Sequence, residues 1–292
     1  MSDDFESAVE QQRFRTAVFE EAKNRDREES AAKVGTKLAP KPLGEILADE
    51  PTWDWLVPDL LERKDRLVVT GAEGLGKSHF LRQIAISMSA GVHPFKIREK
   101  VIPSRVLVID AENTEQQWSR GARYVTRLAE QHGSVSPRRM VQVSAGVRID
   151  LTLRADVNQV RALITNMRPD VLYIGPLYKL LPKALNTDDD AAPVIEALDS
   201  FRELGVTLLM EAHAGHARNS AGERDLRPRG ASALLGWPEF GLGLAPVDES
   251  DLSMVRLAQW RNGREQRDWP KHLRRGQVGE LPWEPAFPDS NL

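Results

Sequence analysis

One short segment of the chain has the residue types and spacing needed to bind a chain of phosphates. Eight consecutive residues match the pattern G-x-x-x-x-G-K-[ST] at every fixed position. The glycines let the backbone N–H groups surround the phosphates, and the lysine and hydroxyl residue supply contacts to the β/γ-phosphates and to Mg²⁺. We therefore predict a nucleotide site formed by Gly71, Ala72, Glu73, Gly74, Leu75, Gly76, Lys77 and Ser78, followed by His79.

The flanks of this segment agree with that prediction. An apolar run, Leu67–Thr70, precedes it, and a helix-like run, His79–Met88, follows it. This strand–loop–helix setting is the one that the pattern requires, and the N-terminus of the helix adds a partial positive charge. An ordinary glycine-rich turn is the alternative, and the flanks make it the weaker one.

The composition limits the other possibilities. The chain has 292 residues, a formal net charge of −3 and no cysteine. A charge near zero gives no global attraction to nucleic acid or membrane, so any nucleic-acid contact needs a local basic patch. The lack of cysteine excludes disulfides and thiolate zinc sites and fits a reducing compartment. We see no secretory signal and no apolar run near ~20 residues, and we expect a cytoplasmic protein without a membrane partner.

Strand-like and helix-like patterns alternate through most of the chain. Short apolar runs predict strands at Arg66–Thr70, Arg105–Asp110, Met140–Ser144, Val171–Ile174 and Val206–Glu211. Amphipathic patterns predict helices between them at Thr114–Gln131, Ala155–Met167 and Ala191–Leu204. This alternation indicates an α/β fold with a mostly parallel twisted sheet flanked by helices. Two later runs, Phe240–Ala245 and Met254–Trp260, suggest antiparallel strands added at the sheet edge.

The same patterns suggest three regions. Residues 1–49 are dense in charge, and we expect a helix over about 5–33, or a flexible arm, followed by a linker. Residues 50–265 contain the alternating elements and form the predicted nucleotide-binding domain. Residues 266–292 are rich in Pro and Trp, and we expect an irregular tail.

Acidic residues follow the second predicted strand, which ends at Asp110, with Glu112 two residues later. Ligands of open α/β sheets bind at the carboxyl ends of the strands, so both side chains should lie near the phosphates. A carboxylate there can orient and deprotonate the water that attacks a γ-phosphate. Glu112 is our candidate for this base, with Asp110 second. The alternative is that both residues only cap the helix beginning near Thr114.

The fourth predicted strand, Val171–Ile174, is followed by Gly175. P-loop ATPases usually place at this strand end an aspartate that supports Mg²⁺. We therefore expect Ser78 to bind the metal with Asp110 or Glu112, or else hydrolysis to be slow.

The fifth predicted strand is followed by polar residues in the order Glu211, His213, His216. His213 is our candidate sensor of the γ-phosphate. Two alternatives remain: a structural histidine, and a metal site made by the three residues together, although they lack the helical H-E-x-x-H spacing.

Arginines occur in two places that could bind polyanions. A loop after His213 carries Arg218, Arg224, Arg227 and Arg229, and a basic loop beside a nucleotide sensor could clamp single-stranded nucleic acid. Arg261 precedes an Asn-Gly turn, and such an arginine could enter a neighbouring subunit's nucleotide site. The alternatives are a solvated loop and a surface arginine.

Taken together, these features resemble the RecA-like ATPase domain of DnaB-type and RepA-type hexameric replicative helicases, most of all phage-encoded members. The resemblance covers about residues 50–265, and its positions are Gly71–Ser78, Asp110–Asn113, His213, Arg229–Ser232 and Arg261–Gly263. Two positions depart from the family pattern: Gly175 replaces the strand-end Asp, and Gln259 stands where a cooperating Lys is frequent.

The resemblance implies a role for each matching residue. Glu112 would be the catalytic carboxylate, His213 the γ-phosphate sensor, and Arg261 would act in trans from the next subunit of a ring. The loop after His213 would face a channel that holds single-stranded DNA. The protein would bind ATP and Mg²⁺, form a homo-hexamer and meet replication partners. Two rivals remain: a recombination or repair ATPase that forms a filament, and an ATP-gated DNA-binding or loading protein with little turnover.

Overall fold

The computed structural model describes residues 39–48, 50, 52–182, 187–215, 224–228, 232–261 and 267–287. The chain divides into two units, Met1–Thr52 and Trp53–Leu292. In the first unit the structure describes one helical turn, α1 (Leu43–Ile46), whose residues are exposed. The helix that we predict over 5–33 lies outside the described residues.

The second unit contains a nine-stranded sheet and two short hairpins. The hairpins pair β1 (Trp55–Val57) with β2 (Leu61–Glu62) and β4 (Val92–His93) with β5 (Lys96–Lys100). The strands of the large sheet are, in chain order, β3 (Arg66–Gly71), β6 (Val106–Asp110), β7 (Val141–Ala145), β8 (Val171–Gly175), β9 (Thr207–Glu211), β10 (Phe240–Asp248), β11 (Asp251–Arg261), β12 (His272–Arg275) and β13 (Trp283–Ala286).

The strand order across the large sheet is β13-β12-β11-β10-β3-β9-β8-β6-β7. The strands from β10 to β7 are all parallel, and β11, β12 and β13 follow β10 with each strand antiparallel to the one before it. Every residue of β6, β8 and β9 is buried, as expected of parallel strands covered on both faces. The carboxyl ends of β3, β6, β8 and β9 therefore meet at one edge of the sheet.

Helices cover both faces of this sheet. They are α2 (Lys77–Ser89), α3 (Glu115–His132), α4 (Pro137–Met140), α5 (Arg154–Met167), α6 (Asp188–Arg202) and α7 (Ala233–Gly236), with a 3₁₀ turn at Leu177–Lys179. One apolar core contains residues of α2 and α3, and the other contains residues of α5 and α6. Among the described residues, no helix is both long and apolar enough to span a bilayer.

The predicted α/β architecture is confirmed. The mostly parallel sheet, the flanking helices and the antiparallel strands near the C-terminus are all present. Local sequence fixes where α3 begins. Thr114 and Gln117 form a reciprocal capping box that satisfies free N–H groups of the first turn.

Two expectations about the C-terminal strands are wrong. Phe240–Ala245 does not add as an antiparallel strand, since β10 pairs in parallel with β3. The tail is also not irregular, because β12 and β13 extend the sheet and Leu273 and Trp283 are fully buried. A proline-containing strand is tolerated here because β13, which contains Pro285, is the last strand of the sheet.

Candidate nucleotide-binding site

The predicted phosphate-binding loop lies between β3 and α2. Gly76 forms the N-cap of α2 with φ 90°, and Gly74 has φ 79°, a left-handed backbone that favours glycine. A Cβ added at Gly76 would lie 2.8 Å from the guanidinium nitrogens of Arg275 and 3.0 Å from Trp283 Cζ2. The loop geometry therefore needs glycine at this cap, as the sequence pattern predicts.

Lys77 closes back over the loop. Its Nζ donates hydrogen bonds to the carbonyl oxygens of Gly71, at 3.2 Å, and Ala72, at 3.0 Å. Burial lowers the pKa of Lys77, and the nearby carboxylates of Glu211 and Glu112 partly offset this. An ammonium group held against the backbone of this loop is suited to bind a phosphate oxygen.

Ser78 contacts a carboxylate that the sequence did not single out as its partner. Its Oγ lies 2.9 and 3.2 Å from the two carboxylate oxygens of Glu211, the last residue of β9. Glu211 is 3 % exposed, and burial raises the pKa of its carboxyl group. The Tyr173 hydroxyl lies 3.4 Å from the same carboxylate. The sequence does show an acidic residue at the end of a predicted strand. Its contact with Ser78 could not be predicted, because that contact requires β9 to lie next to β3.

The alternative metal site of Glu211, His213 and His216 cannot be traced as a whole, because one of its three residues lies outside the described part of the chain. Among the described residues no group of three or more His, Cys, Asp or Glu could hold a metal ion, and His216 lies outside them.

Asp110 holds the loop that follows β6. Its carboxylate accepts hydrogen bonds from the backbone N–H groups of Glu112 and Asn113, at 3.0 and 2.8 Å, and from the Asn113 side chain. Arg82 Nη2 lies 3.6 Å from the same carboxylate. The cap of α3 is Thr114, so capping does not explain Asp110 or Glu112. Asp110 is the predicted metal ligand, yet in this structure the carboxylate on Ser78 comes from another strand.

Glu112 is exposed at the same edge of the sheet and contacts a residue that the sequence analysis missed. The Tyr178 hydroxyl donates to Glu112 Oε1 at 2.8 Å, and the Tyr178 ring lies 4.9 Å from the His213 ring. Burial and the Glu112 carboxylate raise the pKa of Tyr178. Burial and the Lys77 ammonium lower the pKa of His213, which favours its neutral form. Glu112, Tyr178 and His213 thus form a connected chain beside Lys77.

The described part of the arginine-bearing loop is attached to this edge. Pro228 forms a β-bridge with Ala214, and the Leu226 carbonyl accepts a hydrogen bond from the Thr70 hydroxyl of β3. Arg224 Nε donates to the Gly215 carbonyl at 2.8 Å.

The structure describes two of the four arginines that we predict to contact nucleic acid. Arg227 is exposed to solvent, and Arg224 is partly buried and close enough to Lys77 and His213 to affect their pKa values. Arg218 and Arg229 lie outside the described residues.

Arg261 lies away from the loop of its own chain. It ends β11, pairs with Gly241 of β10, and its Nε donates to the Pro238 carbonyl at 3.1 Å. Gly241 is level with Val68, whereas the loop begins level with Leu244, three residues or about 10 Å further along the strand. The turn at Asn262–Gly263 lies outside the described residues.

The C-terminal strands contact the other side of the loop. The Arg275 guanidinium lies 3.9 Å from the Trp283 ring centroid, and its Nη2 is 3.4 Å from the Leu75 carbonyl. The Trp283 backbone exchanges two hydrogen bonds of 2.7 Å with the Gln83 side chain. No local sequence signal predicts these contacts, because the paired residues are 200 positions apart.

The parallel sheet and the glycine-rich loop between its central strand and α2 define a P-loop nucleotide-binding protein with a RecA-like fold. Residues 35–219 match the family model AAA_25, an AAA domain. Since this match covers more than half of the sequence, the chain belongs to that family and is a P-loop ATPase. No curated protein matches the chain.

Proposed function

We propose that this ATPase is a DNA-dependent motor, a replicative helicase of the DnaB/RepA type that hydrolyses ATP and translocates on single-stranded DNA as a homo-hexameric ring. The proposal rests on one observation: an arginine-bearing segment is attached to the edge of the sheet where the carboxyl ends of the parallel strands and the phosphate-binding loop meet. The segment 224–228 is hydrogen-bonded to β3 through Thr70 and to the residues that follow His213. A change at His213 therefore has a short path to Arg227.

Each residue of the site would have its own role in hydrolysis. Lys77 and the loop N–H groups would bind the phosphates, and Glu112 would take the proton of the attacking water. Ser78 with a neighbouring carboxylate offers the oxygen ligands that Mg²⁺ prefers. Bound Mg²⁺ would neutralise charge that develops on the phosphates. His213, joined to Glu112 through Tyr178, is placed to respond to the terminal phosphate.

The position of Arg261 supports an assembly. It lies toward the amino end of β3, whereas its own Lys77 follows the carboxyl end of that strand. A role of Arg261 at the phosphates therefore requires a second subunit. An arginine supplied in trans is worth ~10³–10⁵ in rate where it has been measured. A ring supplies such a neighbour to every site.

The basic loop is the proposed DNA contact. Arg227 is exposed, and Arg218, Arg224 and Arg229 belong to the same stretch of sequence. Arginine binds the DNA backbone through charge and stacks on bases, so it suits a sequence-independent grip on a single strand.

The test is ATP hydrolysis by the full chain, measured as phosphate release with and without single-stranded DNA. We expect DNA to stimulate the wild type, Lys77→Ala to reduce turnover to background, and Arg227→Ala to reduce only the stimulation. Lys96→Ala is the matched control, because Lys96 is exposed and pairs with Glu99 away from the loop. Failure of the wild type to bind ATP with Mg²⁺ by calorimetry would contradict the proposal.

Two outcomes would point to other functions. Tight ATP binding with turnover near zero in the presence of DNA would favour an ATP-gated DNA-binding or loading protein, the alternative that Gly175 at the end of β8 supports. An open helical filament on DNA in electron micrographs, in place of closed rings, would favour a recombination or repair ATPase.

A further inference from the structure

Two neighbouring strands end differently at the nucleotide edge. β8 ends at Gly175, and β9, which lies between β8 and β3, ends at Glu211. In P-loop NTPases a strand-end aspartate holds Mg²⁺ together with the Ser or Thr of the loop. Gly175 cannot fill that role, and its φ of 155° disfavours any side chain there. The carboxylate nearest to the loop hydroxyl comes from the adjacent strand.

The Glu211 carboxylate has more acceptor capacity than its neighbours use. A carboxylate can accept about four hydrogen bonds, whereas the Ser78 hydroxyl and the more distant Tyr173 hydroxyl supply one proton each. The Lys77 ammonium, whose charge also acts on this carboxylate, donates its hydrogen bonds to the carbonyls of Gly71 and Ala72. A carboxylate that is 3 % exposed and keeps free acceptor positions is costly as an ion, and a bound cation would remove that cost without a proton.

Asp110, the other buried carboxylate at this edge, has the opposite surroundings. It accepts from two backbone N–H groups and from the Asn113 side chain, and Arg82 lies 3.6 Å away. These contacts supply both proton donors and a positive charge. Releasing Asp110 to a metal would also break the hydrogen bonds that position Glu112.

We propose that Glu211, together with Ser78, holds the Mg²⁺ that accompanies the nucleotide, so that the metal carboxylate has moved from β8 to the adjacent strand β9. The assignment rests on the proposed nucleotide binding. The hydroxyl and the carboxylate already lie within 2.9 Å of each other, and both groups are oxygen donors of the kind that Mg²⁺ takes from proteins.

The test separates metal binding from nucleotide binding and from turnover. The affinity of the full chain for ADP is measured by calorimetry with Mg²⁺ and with EDTA. Mn²⁺ bound in the presence of ADP is counted by electron paramagnetic resonance. The variants are Glu211→Gln, which keeps a hydrogen-bond acceptor for Ser78 but removes the charge, and Asp110→Asn, which tests the rival assignment.

We expect Mg²⁺ to tighten ADP binding by the wild type, Glu211→Gln to weaken Mn²⁺ binding at least about tenfold, and its metal-free ADP affinity to stay unchanged. Asp110→Asn should retain Mn²⁺ binding. Unchanged Mn²⁺ binding in Glu211→Gln, whatever Asp110→Asn does, overturns the assignment while leaving nucleotide binding intact. A wild type that binds no ADP in either condition overturns the proposed function itself.

A measurement on the wild type covers the case in which Glu211→Gln does not fold. Fe²⁺ replaces Mg²⁺ with ADP bound, and ascorbate with peroxide then generates radicals that cut the chain beside the metal. We expect cuts near Ser78 and Glu211 by mass spectrometry. Cuts near Ser78 and Asp110 without one near Glu211 would overturn the proposal.

Discussion

Helix α2, together with the phosphate-binding loop before it, has two flanks that differ in their side chains. The polar flank consists of Ser78, Glu112, Tyr178, Glu211 and His213. Its side chains interact through hydrogen bonds and a ring contact, and a bound ligand can replace these contacts with contacts of its own.

The tail flank consists of Gln83, Phe95, Trp269, Arg275 and Trp283, and its aromatic rings are buried. We infer that the polar flank serves the chemistry of the site and that the tail flank stabilises the fold. Changes on the polar flank should alter ligand binding and turnover, and changes on the tail flank should alter the free energy of unfolding.

The largest effect is expected on the polar flank, at Glu112. Glu112→Gln removes the proposed base but leaves Lys77 and the loop amides in place, so ATP should still bind. Turnover should fall by ~10²–10⁴, the usual contribution of a general base. Phosphate release gives the rate and calorimetry the affinity. An unchanged rate would exclude Glu112 as the base and weaken the division between the flanks.

On the tail flank, Trp283→Ala should lower the free energy of unfolding by about 3–5 kcal/mol, because it empties a fully buried aromatic site. Urea unfolding measures the change. Phe287→Ala is the matched control, since Phe287 is 91 % exposed and its loss should cost under about 0.5 kcal/mol. A Trp283→Ala protein with unchanged stability and lost nucleotide binding would break the comparison.

A smaller effect is expected from pH, through His93 beside the tail flank. His93 is buried, its Nδ1 accepts a hydrogen bond from the Phe95 N–H at 3.1 Å, and burial lowers its pKa to about 4. The charges that also act on its pKa are those of Glu99, Lys96, Asp268 and Asp59.

The sign of the pH effect follows from this lowered pKa. The unfolded chain takes up the proton near pH 6.5 and the folded chain only near pH 4. The stability contributed by neutral His93 is therefore complete above pH 6.5 and is lost as the pH falls toward 4, with an upper size of about 3 kcal/mol. Urea unfolding of wild type and His93→Gln at pH 7.5 and 5 isolates this residue. Equal pH dependence in the two proteins would contradict the prediction.

Local patterns were enough to predict the loop and the architecture around it. The loop sequence and its flanks predicted a strand before the loop and a helix after it, and the helix begins at Lys77, two residues before the predicted run. The apolar runs predicted the parallel strands, because burial on both faces leaves a continuous apolar signal. These features depend on residues close together in the sequence.

Strand order and long-range packing could not be predicted in the same way. The contact of Ser78 with Glu211 joins residues 133 positions apart and exists because β9 lies next to β3. The same holds for Tyr178 beside His213, for the parallel direction of β10, and for Trp283 against Gln83. Composition suggested an irregular tail, since proline and tryptophan report nothing about a distant partner.

The amino-acid sequence by itself determined which segment binds phosphate, because that chemistry needs particular residues at neighbouring positions. Only the tertiary structure decided which carboxylate meets the loop hydroxyl and that Arg275 and Trp283 lie against the loop. Those contacts depend on the order in which strands assemble, which periodicity along a single chain does not encode.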